Sequence, residues 1–296
     1  MYRNLEELRG VIKGRIKLNE PLKNHTSFHI GGAASIYVEP KDTEDLKKLL
    51  LFIRKKSLPF FILGGGSNVL VKDQGFDGIV IGSKNFNFFQ VKGNKATAGS
   101  GLKLPFFLGL LAKEGLAGME FFAGIPGTVG GAVLMNAGSQ KEGIGNFIEK
   151  VEAMDFSGRV KNIYKTLLNF SYRNSNLTPY FFLLSVEFRL KNDQPKIIKE
   201  RTEKALRKKR ESQPIKAYSA GCIFKNPDGA SAGKLIEEAG LKGKRKGDAF
   251  ISEKHSNFII NSGKASASDV LFLMKKIQGK VYQKFKIRLE PEIKII

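Results

Sequence analysis

The residues able to do chemistry in this 296-residue chain are few and widely spaced. Its one cysteine, Cys222, lies in GCIFKNP (221–227). Read alone it is a small buried thiol, although a thiol, with an ordinary pKa of about 8.5, is a far stronger acid than an alcohol. Near the C-terminus, LEPEIKII (289–296) carries Glu290 and Glu292. Strand alternation puts both on one face, so periodicity does not choose between them. Arg173, in YRNS (172–175), sits among polar residues between two strand-like runs and in isolation reads as a solvated arginine. His25 and His29 have the i,i+4 spacing of helical metal ligands, but Gly31-Gly32 and the alternating pattern argue against a helix, so no metal site is expected. His255, in SEKHSNF (252–258), has the plain reading of a packed or capping residue.

Two glycine clusters could shape a ligand site. GGGSN (Gly64, Gly65, Gly66, Ser67, Asn68) directly follows the apolar run FFIL, where residues without Cβ allow close backbone approach and their amides can form an anion nest. A structural turn is the alternative. GIPGTVGGA (124–132) contains Gly127, Thr128, Gly130, Gly131 and Ala132 and continues into MNAG (135–138). Neither cluster has the GxGxxG or GxxxxGK[ST] spacing, so phosphates would be held by loop amides rather than at a helix terminus.

The elements around these residues alternate. Leu46, Leu49, Leu50 and Ile53 form one helical stripe between Asp42 and Lys56, with Asp42 or Thr43 as N-cap. GIVIG (78–82) reads as a strand. Strands KATAGSG (95–101), VEAMDFSGRVKNIYK (151–165, turning at Ser157-Gly158) and YFFLLSVEFRL (180–190) follow, then helices from Pro195 to Glu211, Ser231 to Ala239 and Ser268 to Phe285. The closing strand IRLEPEIKII (287–296) puts Ile287, Leu289, Ile293 and Ile295 on one face. A boundary is placed near Asn192.

Composition excludes several classes. No stretch approaches the roughly 20 apolar residues of a membrane span, so a soluble chain is expected. The N-terminal residues lack the apolar core of a secretory signal. One cysteine makes no intramolecular disulfide, which fits a reducing, cytoplasmic compartment. The formal net charge of +22 favours anionic partners. The basic runs KALRKKR (204–210) and KGKRKG (242–247) have no interleaved aromatics to stack bases, so pyrophosphate-bearing small molecules suit the charge better than nucleic acid.

GGGSN, PGTVGGA, YRNS, GCIFKNP and LEPE occur in this order across almost the whole chain. The set resembles the UDP-N-acetylenolpyruvoylglucosamine reductase (MurB) family, in its shorter form lacking a tyrosine-bearing insertion. The resemblance implies an α+β fold: an FAD-binding domain of the vanillyl-alcohol-oxidase (PCMH) type, made of two α+β subdomains (1–90 and 91–192), and a C-terminal α+β substrate-binding domain (193–296). The last strand would return toward the flavin site. It implies non-covalent FAD on Gly64 to Asn68 and on Gly127, Thr128, Gly130, Gly131 and Ala132, with NHTSFHIGG (24–32) as the entry to the flavin domain. NADPH is the implied hydride donor, a UDP-sugar the substrate, and a monomer without nucleic-acid or membrane partners the working form.

In the family the arginine of YRNS contacts the enolpyruvyl carboxylate, which gives Arg173 that role with Tyr172 beside it. Cys222 stands where the commonest family form has the proton-donating serine, and the second glutamate of LEPE, Glu292, is the catalytic carboxylate with Glu290 as fallback. Lys225 and Asn226 would hold or position the substrate diphosphate. Arg210 would be a basic phosphate ligand in competition with Lys208 and Lys209, and His255 would line the substrate cleft. Another flavin oxidoreductase of the same scaffold is the nearest alternative.

Overall fold

The computed structural model describes residues 2–140 and 142–296. The chain forms two compact units that alternate along the sequence. The first takes the chain up to Leu18, then Ile36–Gly65 and Gly78–Arg207; the second takes Asn19–Ser35, Gly66–Asp77 and Lys208–Ile296. The architecture is α+β, as expected.

In the first unit the helix Thr43–Lys56 begins where Asp42 accepts the Asp45 amide at 2.9 Å, satisfying an otherwise unpaired first-turn donor. Its stripe Leu46, Leu49, Leu50 and Ile53 is buried with Ile36, Val38, Ile79 and Ile81. Those four belong to a sheet ordered Arg15–Pro21, Ala33–Glu39, Phe76–Gly82, Phe60–Leu63, in which the last two strands run parallel. A second, antiparallel sheet is ordered Val160–Tyr164, Ile148–Asp155, Phe181–Arg189, Lys95–Gly99, Phe89–Lys92. Its inward residues Ala96, Ala98, Val151, Ala153, Val186 and Phe188 share a core with Phe107 and Leu111 of the helix Leu104–Lys113.

The second unit is built on the helix Ala267–Phe285, which opens with a Ser266–Asp269 capping box. Asp73 adds to that start: its carboxylate accepts the Ala267 and Ser268 amides at 2.7 and 2.9 Å. Val270, Leu273, Met274, Ile277 and Val281 turn inward onto a core with Ile223, Phe224, Ile251 and Ile259. Three short antiparallel strands, Arg245–Lys246, Ala249–Ile251 and Ile259–Asn261, complete this unit with the helix Ala232–Glu238.

The closing strand departs from expectation. Pro291 has no amide proton to give a ladder, and residues 287–293 meet their neighbours at an isolated bridge, Phe224 to Pro291. Regular pairing is confined to Lys294–Ile295, parallel to Val69–Leu70. The alternation partly survives: Leu289 and Ile293 are buried, while Ile295 is exposed. Among the described residues no helix is long and apolar enough to cross a membrane.

Candidate active site

The first unit brings parts of the two glycine clusters into backbone contact. A Cβ on Gly64 would lie 2.7 Å from Thr128 Oγ1, and one on Gly65 would lie 2.6 Å from Gly127 Cα. Gly127 itself adopts φ +107, a conformation side chains disfavour. Thr128 Oγ1 accepts the Gly131 amide and caps the short helix Val129–Leu134, so the same hydroxyl fills the space that a Gly64 side chain would need. The amides of Val129, Gly130 and Ala132 go to Leu102, Ser100 and Thr128 carbonyls at 2.8–2.9 Å. Expected as phosphate donors, they are already used inside the protein. Gly66, in the second unit, has φ +62 with the His25 carbonyl where its Cβ would stand, which explains the pairing of GGGSN with NHTSFHIGG. These glycines let the loop backbones pack directly against one another, an arrangement in keeping with a loop-built FAD site.

Arg173 also belongs to the first unit. It occupies the tip of the two-residue turn between Phe170–Ser171 and Asn174–Ser175, at φ +56, an uncommon conformation for a side-chain-bearing residue. The guanidinium donates through Nη1 to the Gly138 carbonyl at 2.9 Å and lies 5.2 Å from the Tyr172 ring centroid. Asn136 holds this hairpin: its Nδ2 donates to the Ser171 carbonyl at 3.0 Å, and its Oδ1 accepts the Gly145 amide at 3.0 Å. Ser175 Oγ adds a bond to the Leu134 carbonyl. Arg173 is thereby half-buried and directed rather than solvated.

The second unit brings Cys222 and Glu292 onto adjoining strands of loop. The Glu292 amide donates to the Ile223 carbonyl at 2.8 Å, and the Lys225 amide to the Glu290 carbonyl at 2.9 Å. Asn257, 2% exposed, clamps the cysteine loop from the other side. Its Oδ1 accepts the Phe224 amide at 3.0 Å, its Nδ2 donates to the Phe224 carbonyl at 2.7 Å, and its own carbonyl accepts the Ile223 amide at 2.8 Å. Asn68 binds the glutamate segment, donating through Nδ2 to the Glu292 carbonyl at 3.1 Å. Cys222 and Glu292 are half-buried. Glu290 differs: its side chain is 75% exposed and pairs with Lys225 Nζ at 3.3 Å.

Other expected ligands are partly spoken for. Asn226 Oδ1 accepts the Ala232 amide at 3.0 Å at the start of the helix Ala232–Glu238. Arg210 is exposed, and its main-chain carbonyl accepts from Lys254 Nζ at 2.5 Å. His255 packs edge-on to Phe258 with centroids 4.9 Å apart and beside Gly233, where a Cβ would touch Cε1 at 3.5 Å. Burial, helped by the Lys242 charge, holds its pKa below the ordinary imidazole value. Asn136 and Asn257 carried no sequence reading. A hint was present in Asn136, since asparagine tolerates left-handed backbone, and it adopts φ +40. Nothing local marked Asn257.

Comparison with known proteins settles what these loops belong to. Residues 213–296 match the family model for the C-terminal domain of UDP-N-acetylenolpyruvoylglucosamine reductase, and residues 34–164 match that for an FAD binding domain. A UDP-N-acetylenolpyruvoylglucosamine reductase of Moorella thermoacetica is 42% identical over 289 residues, which is 98% of this chain and 96% of the relative. The chain belongs to the UDP-N-acetylenolpyruvoylglucosamine reductase family. A Caldanaerobacter subterraneus member is 41% identical over 99% of this chain and 97% of its own. The crystal structure of the Thermus caldophilus family member superposes with a TM-score of 0.82 at 38% identity, covering 96% of this chain and 99% of that one. A berberine bridge enzyme variant, 12% identical with a TM-score of 0.50 over 65% of this chain and 44% of its own, shares the fold alone. Within the reductase family this chain is an FAD-containing oxidoreductase.

Proposed function

We propose that this reductase-family chain uses NADPH and bound FAD to reduce the enolpyruvyl group of a UDP-sugar, UDP-N-acetylglucosamine enolpyruvate, to the lactyl ether of UDP-N-acetylmuramate for peptidoglycan synthesis. Near full-length likeness to named reductases carries the reading. FAD would rest on Gly64 to Asn68 and against Gly127 to Ala132, two loops whose glycines pack backbone to backbone. When bound it supplies two-electron hydride exchange, taken from NADPH and given to the substrate's terminal vinyl carbon.

The chain's own residues manage the charge and proton that remain. As hydride arrives, the carbon–carbon double bond breaks toward the carboxylate, which becomes enolate-like. Arg173 would hold that carboxylate by charge, and Glu292 by donating a hydrogen bond from its carboxylic acid form. Cys222 Sγ–H would give its proton to the carbon beside the carboxylate, completing addition of one hydride and one proton across the double bond. Tyr172, Lys225, Asn226, Arg210 and His255 would orient the UDP-sugar. On this reading residues 1–90 and 91–192 serve the flavin and 193–296 the substrate, in a cytoplasmic monomer whose partners are small molecules rather than nucleic acid. Purified protein should be yellow, bleach anaerobically with NADPH, and recolour with the enolpyruvyl UDP-sugar. Recolouring by the corresponding sugar without the vinyl group would refute the reaction.

A further inference from the structure

Asn68 makes two bonds to the segment that carries Glu292. Its side-chain Nδ2 donates to the Glu292 carbonyl at 3.1 Å, and its main-chain carbonyl accepts the Lys294 amide at 2.9 Å. On the other side the Glu292 amide donates to Ile223. Both peptide groups of the glutamate are therefore fixed. The ladder that follows is just Lys294–Ile295 on Val69–Leu70, with the Ile296 amide donating to Leu70 and the Lys72 amide to Ile296. So short a strand specifies register weakly, and a slip of one residue would turn Glu292 to the opposite face. A carboxamide aimed at one particular carbonyl removes that ambiguity.

We propose that Asn68 is a positioning residue for Glu292: its side chain sets the register and direction of the glutamate from within the glycine loop. The inference rests on the catalytic reading of Glu292 given above. It assigns the Asn68 side chain to the protein rather than to the cofactor, whatever the loop backbone contributes to FAD. The donor is the necessary part, because an aspartate of the same shape would set a carboxylate oxygen against the Glu292 carbonyl oxygen.

Stopped-flow measurement of the two half-reactions in the FAD-saturated enzyme tests this. Asn68→Ala should slow flavin reoxidation by the enolpyruvyl UDP-sugar at least about tenfold more than it slows reduction by NADPH. Asn68→Asp, which keeps the volume, should show the same split. Added to Glu292→Gln, Asn68→Ala should cost less than about a further twofold, since the group it positions is already gone. Equal slowing of both half-reactions, full additivity with Glu292→Gln, or normal reoxidation in Asn68→Asp would each overturn the proposal. Should Glu292→Gln alone reoxidise normally, the reading of Glu292 fails and this proposal with it; additivity against a crippled Glu292→Gln sinks the proposal alone.

Discussion

The two units prepare their functional residues by opposite means. In the first, the cradle is made by leaving side chains out: Gly64 and Gly65 pack directly against Thr128 and Gly127. In the second, the loops of Cys222 and Glu292 are held by side chains put in, with Asn257 and Asn68 bonding to the main chain of segments 33 and 224 residues away. The first device excludes bulk so that the loop backbones can touch. The second fixes direction, which the roles proposed for Cys222 and Glu292 need more than space. Asn136 shows the first unit using the second device where it must aim Arg173.

The sharpest way to break this contrast is to delete chemistry from the directed side while sparing the cradle. Cys222→Ala should lower turnover by roughly two to four powers of ten, the usual worth of general acid catalysis, with flavin still reducible by NADPH and Cys222→Ser still active. Full turnover in the alanine variant would remove the loop's assigned role. Glu292→Gln should cost about 10²–10³-fold in turnover through the substrate half-reaction alone. Glu290→Gln should change turnover little, because its pair with Lys225 is a solvent-exposed one; reversed effects would exchange the two glutamates.

Asn257→Ala comes next. It leaves the buried Phe224 amide and carbonyl without their partner and should cost about 2–4 kcal/mol in urea unfolding. On the cradle side, Gly65→Ala forces a Cβ into Gly127 backbone and should cost about 1–3 kcal/mol, read as flavin lost on gel filtration. Gly131→Ala is its control, since the nearest atom to its Cβ lies at an ordinary 3.5 Å. Equal flavin loss in both would show that glycine content, not close contact, matters.

The smallest effect is a pH dependence confined to the second unit. Burial lowers the folded pKa of His255, so the unfolded chain takes up the proton more readily. His255 should therefore cost nothing well above the ordinary value near 6.5 and should erode stability as pH falls from there toward the folded pKa. His255→Gln should lose less of its unfolding midpoint than wild type between about pH 7.5 and 5.5. A steeper fall in the variant would reverse the sign.

The sequence itself determined whatever depends on neighbours along the chain. The stripe Leu46, Leu49, Leu50 and Ile53, the Asp42 cap, the Ser157-Gly158 turn and the glycine clusters were legible because helical periodicity, capping and a missing Cβ act over a few residues. The identities of Arg173, Cys222 and Glu292 as candidates came from motif order, equally a property of the string. Tertiary structure alone decided how those candidates are held. That Glu292 is half-buried while Glu290 points to solvent could not follow from alternation, which treats them alike; it goes with Pro291 interrupting the ladder and with Ile223 and Asn68 holding both peptide groups of Glu292, where Lys225 holds Glu290 by its carbonyl. Asn257 was invisible for the same reason. A carboxamide's value lies in which distant peptide group it meets, and that meeting exists only after burial of the surrounding apolar residues has brought the loops together.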